Sequence, residues 1–268
     1  MRKIYSGILL FFVFQGSAQN IDSVKLRVHY AAEFKRYEIS KRQSQDEKIL
    51  DVGSHISKFY SLWETKRREV SDSILSNGGS FQDVMNALER VPYPRSHDYY
   101  TVYKNYPQKG KLTYTDKVFK DFIYEETFEK PEWDIISQDT LIVGYNCQKA
   151  QTHYRGRTWD VWFTPAIPIN DGPWKLCGLP GLILYAKDSK GDFLFECIEI
   201  ENGGNEAVHF PKRNYIKCTW KELNQMKRRN NKDPVEYLKQ FGIDSGAGFG
   251  PDGKPLVYKE KKPVLLEY

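Results

Sequence analysis

Long apolar runs, clustered histidines, cysteine pairs and net charge are all scarce in this chain. Beyond residue 14 no apolar segment approaches the ~18 residues of a membrane-crossing helix, so no integral membrane span is expected in the mature chain. The five histidines, His29, His55, His97, His153 and His209, are scattered and form no His-Glu-x-x-His pair. The four cysteines, Cys147, Cys177, Cys197 and Cys218, include no Cys-x-x-Cys, which removes zinc-ribbon and thioredoxin-type readings. Gly242-Ile243-Asp244-Ser245-Gly246 lacks the spacing of a nucleophile elbow. Gly246-Ala247-Gly248-Phe249-Gly250 follows a helical pattern instead of opening one, so it reads as a flexible loop. The net charge of +5 is small, with Lys and Arg mixed among Asp and Glu, and demands no polyanionic partner. Lys227-Arg228-Arg229 would sit at a helix C-terminus, where cations complement the dipole, and gives no case for nucleic acid. The sequence therefore nominates no catalytic residue, metal ligand or cofactor.

What is present begins with an export signal. Met1-Arg2-Lys3 is basic, Ile8–Phe14 is a short apolar run, and Gly16-Ser17-Ala18 supplies small residues for cleavage after Ala18. No Cys follows that site, which argues against a lipoprotein. The expectation is an exported protein, periplasmic, outer-membrane associated or extracellular. It would have a signal peptide at 1–18 and one domain over 19–268. A chain of this size buries about three-quarters of its unfolded surface, enough for a sizeable core. In an oxidising compartment its cysteines allow two disulfides in any of three pairings. Buried free thiols are the other reading, and Cys197, sharing a strand face with Phe193 and Phe195, fits it.

The pattern is strand-rich with helical excursions near 56–91 and 219–241. Val24, Leu26, Val28 and Tyr30 alternate with polar residues, as in a half-buried strand. Ile56, Phe59, Tyr60 and Trp63 recur at helical spacing and predict a helix within 56–75. A second helix begins near Ser80, with Asp83 three residues on. Strands are expected near 99–105, 111–116, 118–128, 140–153, 157–164, 181–187 and 192–200, with a hairpin at Gln151–Arg157 turning on Gly156. Thr219-x-x-Glu222 is a capping box, and Asp233-Pro234 supplies an N-cap and first-turn proline before a helix that stops at Gly242. The fold class read from this is mainly β (α+β), built on an antiparallel sheet.

The densest motif is Gly172-Pro173-Trp174-Lys175-Leu176-Cys177-Gly178-Leu179-Pro180-Gly181-Leu182-Ile183. Pro fixes φ and Gly permits φ > 0, so Gly172, Pro173, Gly178, Pro180 and Gly181 encode a sharp loop held against a buried strand. Upstream stand Tyr145-Asn146-Cys147-Gln148-Lys149-Ala150, then Gly156-Arg157, then Trp159-Asp160-Val161-Trp162, and the chain closes on Pro263-Val264-Leu265-Leu266-Glu267. In this order the parts resemble the GLPGLI family of secreted Bacteroidetes-type proteins, which carries no established activity. Its rhythm also resembles the half-barrel of LolA-like periplasmic lipoprotein carriers. The resemblance implies an open, half-barrel sheet with helical insertions.

On the Trp159–Trp162 strand the two indoles point to opposite faces, which suits either a sheet covered on both sides or a face lining a ligand. Trp159 and Trp162 are thus the candidate lining residues. Lys149 and Arg157 flank the hairpin and are the candidate anion contacts, with solvated or carboxylate-paired roles as the alternative. The expected function is non-enzymatic binding of an apolar small molecule or an envelope protein partner. A hydrolase with a site assembled from distant residues, or an assembly factor for secreted proteins, stands as the alternative. Asp22-Ser23-Val24, Asp72-Ser73-Ile74 and Asp139-Thr140-Leu141 also match the Asp-Ser/Thr-apolar triplet of O-glycosylated secreted proteins.

Overall fold

A computed structural model describes residues 19–243 and 259–268. The expected signal peptide and the glycine-rich stretch 246–250 lie outside the described residues, as does most of the Gly242–Gly246 motif. In chain order the elements are β1 (Gln19–Ser23), β2 (Leu26–Phe34), β3 (Ser44–Val52), β4 (Ser57–Ser61), α1 (Leu62–Ser76), α2 (Phe81–Leu88), β5 (Thr101–Lys104), β6 (Lys111–Val118) and β7 (Lys120–Thr127). They continue as β8 (Asp134–Ile142), β9 (Tyr145–Tyr154), β10 (Arg157–Thr164), β11 (Leu182–Asp188), β12 (Phe193–Asn202), β13 (Ala207–Phe210), β14 (Ile216–Lys217), α3 (Trp220–Lys232) and α4 (Pro234–Lys239).

Twelve strands form one sheet in the order β14-β7-β6-β5-β4-β3-β2-β12-β11-β10-β9-β8, while β1 and β13 pair separately. Every pairing in the large sheet is antiparallel except β14 with β7. The sheet does not close, since β14 and β8 are both edges. The protein is therefore mainly β with an open antiparallel sheet, as its alternation implies.

Local chemistry explains most element ends. The β9–β10 hairpin turns on Arg155 and Gly156, both at positive φ (54° and 80°), which is the backbone a two-residue I′ turn requires. Ser80 with Asp83 and Thr219 with Glu222 form reciprocal capping boxes, and Asp233 caps α4 with Pro234 in its first turn. The helix expected within 56–75 starts later. Residues 57–61 are β4, and Ser61 then caps α1 by accepting from the Glu64 amide. Phe59 and Tyr60 sit at helical spacing but belong to a strand. The strand β3 carries no polarity alternation of the ordinary sense, because Asp46, Lys48 and Asp51 are buried along with Ile49 and Leu50.

One continuous hydrophobic cluster fills the inner face, running from Tyr30 and Phe59 through Tyr100, Tyr114 and Tyr124 to Trp159 and Phe195. Phe59 packs edge-on against Tyr30 and Phe195, and Tyr114 stacks between Tyr100 and Tyr124. Burial of a large apolar side chain stabilises by roughly 1.5–3 kcal/mol. No helix among the described residues is long and apolar enough to cross a membrane.

Candidate functional site: a plugged sheet and its cleft

The segment 165–181 follows β10 and runs back across the inner face of the sheet. Its residues from Asp171 to Cys177 are buried. Trp174 packs at 5.7 Å against Trp159 of β10, and Lys175 reaches the Tyr124 hydroxyl of β7 at 2.9 Å, so the loop touches strands from both halves of the sheet. Two glycines make the approach possible. A Cβ on Gly181 would collide with the Thr164 carbonyl, and one on Gly172 would meet Ile183 at 2.7 Å. Trp174 itself adopts φ 53°, a costly backbone for a bulky residue that its full burial holds in place.

Three lysines are buried on this inner side, and each has its own acids or carbonyls. Lys104 donates to Asp171 and to the carbonyls of Gly172 and Leu176, fixing the loop to β5. Lys175 donates to Glu267 and Glu126, both at 2.8 Å. Lys48 contacts Asp98 at 2.8 Å and Asp46 at 3.1 Å, with its ammonium 4.4 Å from the Tyr100 ring centre. Burial opposes the Lys48 charge, but the two carboxylates outweigh it and raise its pKa. Burial also raises Asp46, which Lys48 only partly offsets.

The C-terminal strap 259–268 enters the same space. Val264 donates to the Arg36 carbonyl, Tyr37 bridges Pro263, and Arg157 donates to the Leu265 carbonyl at 2.9 Å. The plug and the strap thus meet at the Lys175–Glu267 pair.

Between this strap, the end of β2, residues 95–100, β6 and α3 lies a cleft of about 530 Å³. Its polar wall carries Arg36, Arg95, His97, Asp98, Asn230 and Asn231, and its rings include Tyr37 and Tyr99. Arg95 donates to the Tyr99 hydroxyl at 3.3 Å, and Arg36 to that of Tyr37 at 3.2 Å. The lining acids are held by cations: Asp98 by Lys48, Asp116 by Lys227 at 2.5 Å and Glu267 by Lys175. His97 stands at φ 64° and is pushed down to about 4 by burial and then by Arg36, Arg95 and Arg67, so it is neutral near pH 7. This wall offers fixed acceptors, guanidinium and amide donors and aromatic faces, and its acids are each paired with a lysine.

The residues nominated from sequence lie elsewhere. Trp159 is fully buried between Trp174 and Phe195. Trp162 is on the opposite face, half-buried, with the Lys149 ammonium 5.9 Å from its ring and Lys149 also 3.6 Å from Asp160. Arg157 is buried and bound to Asp188 at 2.5 Å, Asp192 at 3.1 Å and the strap. The structure therefore brings Lys149 and Trp162 together and separates them from Trp159 and Arg157. All four cysteines are free thiols, and burial pushes Cys147 and Cys177 up to about 11 and Cys197 to about 12. Of the glycosylation-type triplets, Thr140 is exposed on β8, Ser73 lies in α1 and Ser23 in β1. No cluster of three or more metal-binding side chains occurs among the described residues. The cleft residues carry no sequence motif, and only the capped start of α3 marks one of its walls in advance.

An open antiparallel sheet folded around its own loop, with a polar cleft beside the C-terminal strap, defines the class of domain. Residues 85–221, just over half of the chain, match the family described as the N-glycanase peptide, N-terminal domain, and the chain belongs to that family. This corrects the expected GLPGLI membership, since the matched span contains both the Tyr145–Ala150 strand and the glycine-proline loop on which that resemblance rests. The function attached to it, non-enzymatic binding of an apolar ligand or a protein partner, falls with it. The inner face that would take an apolar ligand is filled by Trp174, Leu176 and Leu179. Solved structures of PNGF-II in two crystal forms are similar in part. One has 17% identity over 77% of this chain and 34% of that chain with a TM-score of 0.48; the other has 14% over 77% and 33% with 0.45. The chain thus spans about a third of the length of those structures. No curated protein matches it.

Proposed function

We propose that the chain serves the release of N-linked glycans from glycopeptides, with the cleft beside the strap holding the glycan. Family membership supports the substrate class, and one observation carries the location: an open cleft of about 530 Å³ pairs the rings of Tyr37 and Tyr99 with Arg36, Asn230 and Asn231. A sugar presents C–H faces that pack on aromatic rings and hydroxyls that pair with amides, guanidinium groups and fixed carboxylates. Because the lining acids are paired with Lys48, Lys227 and Lys175, their oxygens stand as fixed acceptors for sugar hydroxyls, while Arg36 and Arg95 supply guanidinium donors. Export, expected from the basic and apolar N-terminus, is part of this proposal, since it places the chain where glycoproteins are met.

The test is calorimetric titration with an N-glycosylated peptide and with the same peptide after its glycan is removed. At least tenfold tighter binding of the glycosylated form is expected. Tyr37→Ala should weaken that binding about tenfold with unchanged melting, in line with the ~1–1.4 kcal/mol of a lost ring contact. Equal affinity for both peptides would sink the reading.

A further inference from the structure

A second cleft, of about 330 Å³, lies between α1 and the β4–β5 pair, closed by His209, Pro211 and Arg213. Lys58 of β4 lines it, opposite Tyr103 across the ladder. Its ammonium is 4.3 Å from the Tyr60 ring centre and 5.8 Å from that of Tyr103, and it has no hydrogen bond or ion pair among the described residues. One further donor in the same wall, Arg213 Nε, is buried without a partner. The lining acids, in contrast, are engaged. Asp72 accepts from Arg213 at 2.9 Å, Glu69 from Lys66 at 3.0 Å and Glu64 from the His97 amide at 2.8 Å. A buried donor left unpaired costs about 1–3 kcal/mol, so Arg213 Nε beside the unpaired Lys58 ammonium points to an acceptor missing from the cleft.

We propose that this second cleft binds a carboxylate-bearing sugar, its carboxylate received by Lys58 and Arg213 and its ring by Tyr99. An anionic acceptor matches a cation with which no acid among the described residues forms an ion pair. The volume suits one or two sugar rings, and Tyr99, which is partly exposed and lines both clefts, supplies the apolar face that a sugar ring uses. The sugar half rests on the glycan reading above; the anion half stands on the unpaired donors.

The site carries its own pH dependence. Burial is the largest influence on Lys58; Asp51 of β3 and Glu69 of α1 oppose it, Arg27 of β2 adds to it, and the ammonium is pushed down to about 8. His209 of β13 and Arg213 face the cleft from the remaining side. Only the protonated amine attracts a carboxylate, so affinity is full below pH 7 and falls as pH rises through about 8.

The experiment titrates the full chain with glucuronate, glucose and acetate at pH 7 and pH 9. Glucuronate is expected to bind at least tenfold more tightly than either control and to weaken at pH 9. Lys58→Met removes the charge but keeps the length of the side chain, and should cost tenfold or more with melting unchanged or raised. It should leave glycopeptide binding in the first cleft intact, just as Tyr37→Ala should leave glucuronate binding intact. Glucuronate binding no better than glucose, or untouched by Lys58→Met, overturns the proposal. Acetate binding as tightly as glucuronate overturns its sugar half while the glycan reading of the first cleft stands on its own test.

Discussion

At the residue scale, burial and pairing decide what a side chain does. Trp159 is an aromatic on a strand face, and its alternation with Asp160 was enough to place it opposite Trp162; which face is filled depends on Trp174, a residue from a loop. Its ring is enclosed by Trp174 and Phe195, so Trp159→Ala is expected to cost about 3–5 kcal/mol, read as a fall in denaturant midpoint at constant slope. Trp159→Phe should cost much less, because it keeps a ring and removes an indole N–H that has no partner in the core. A midpoint unchanged by Trp159→Ala would mean the ring is not packed there. Arg157 makes the same point for a charge. Its position after Gly156 is legible in the sequence, but Asp188, Asp192 and the Leu265 carbonyl reach it only through the fold.

At the scale of elements, the readable parts are those whose physics is local. Capping boxes lie within four residues, so Ser80-x-x-Asp83 and Thr219-x-x-Glu222 mark their helices from sequence alone. The Gly156 turn is local in the same sense, between the paired ends of β9 and β10. Two strands escape this logic for a common reason. In β3 the charged Asp46 and Lys48 are buried beside Ile49 and Leu50, made tolerable by each other and by Asp98, so polarity does not mark the buried positions. In β4 the spacing of Phe59, Tyr60 and Trp63 happens to coincide with a helical stripe, and the true boundary is the Ser61 cap. A consequence for α3 follows from its cap. Thr219→Ala removes the acceptor of the Glu222 amide and should cost about 1 kcal/mol, whereas Thr219→Ser should cost only a few tenths. Thermal melts of both variants check this, and an equal loss in the two would show that the threonine methyl, not the hydroxyl, matters.

At the scale of the whole molecule, one charge cluster ties the parts that sequence reading left separate. Lys175 comes from the plug, Glu126 from the end of β7 and Glu267 from the strap, and all three meet beneath the first cleft. Arg155, from the β9–β10 turn, adds contacts to Glu126 at 3.2 Å and Glu267 at 3.7 Å. The strand β7, the inner loop and the strap are thereby made mutually dependent. Deleting one member of a buried pair leaves the other desolvated and uncompensated, which costs about 3–5 kcal/mol. Lys175→Met should approach that figure, because two acids are then crowded with only Arg155 between them. Glu267→Gln should cost less, because Glu126 still faces the lysine. The double variant should lose clearly less than the sum of the singles, since each substitution removes the charge that the other strands; a coupling of about 1–3 kcal/mol is expected for groups in direct contact. Urea unfolding of the four proteins in this cycle measures it directly. Additive losses would mean that strap and plug are stabilised independently, and the strap, which lines the first cleft, would then lack the anchor on which a fixed wall for glycan recognition depends.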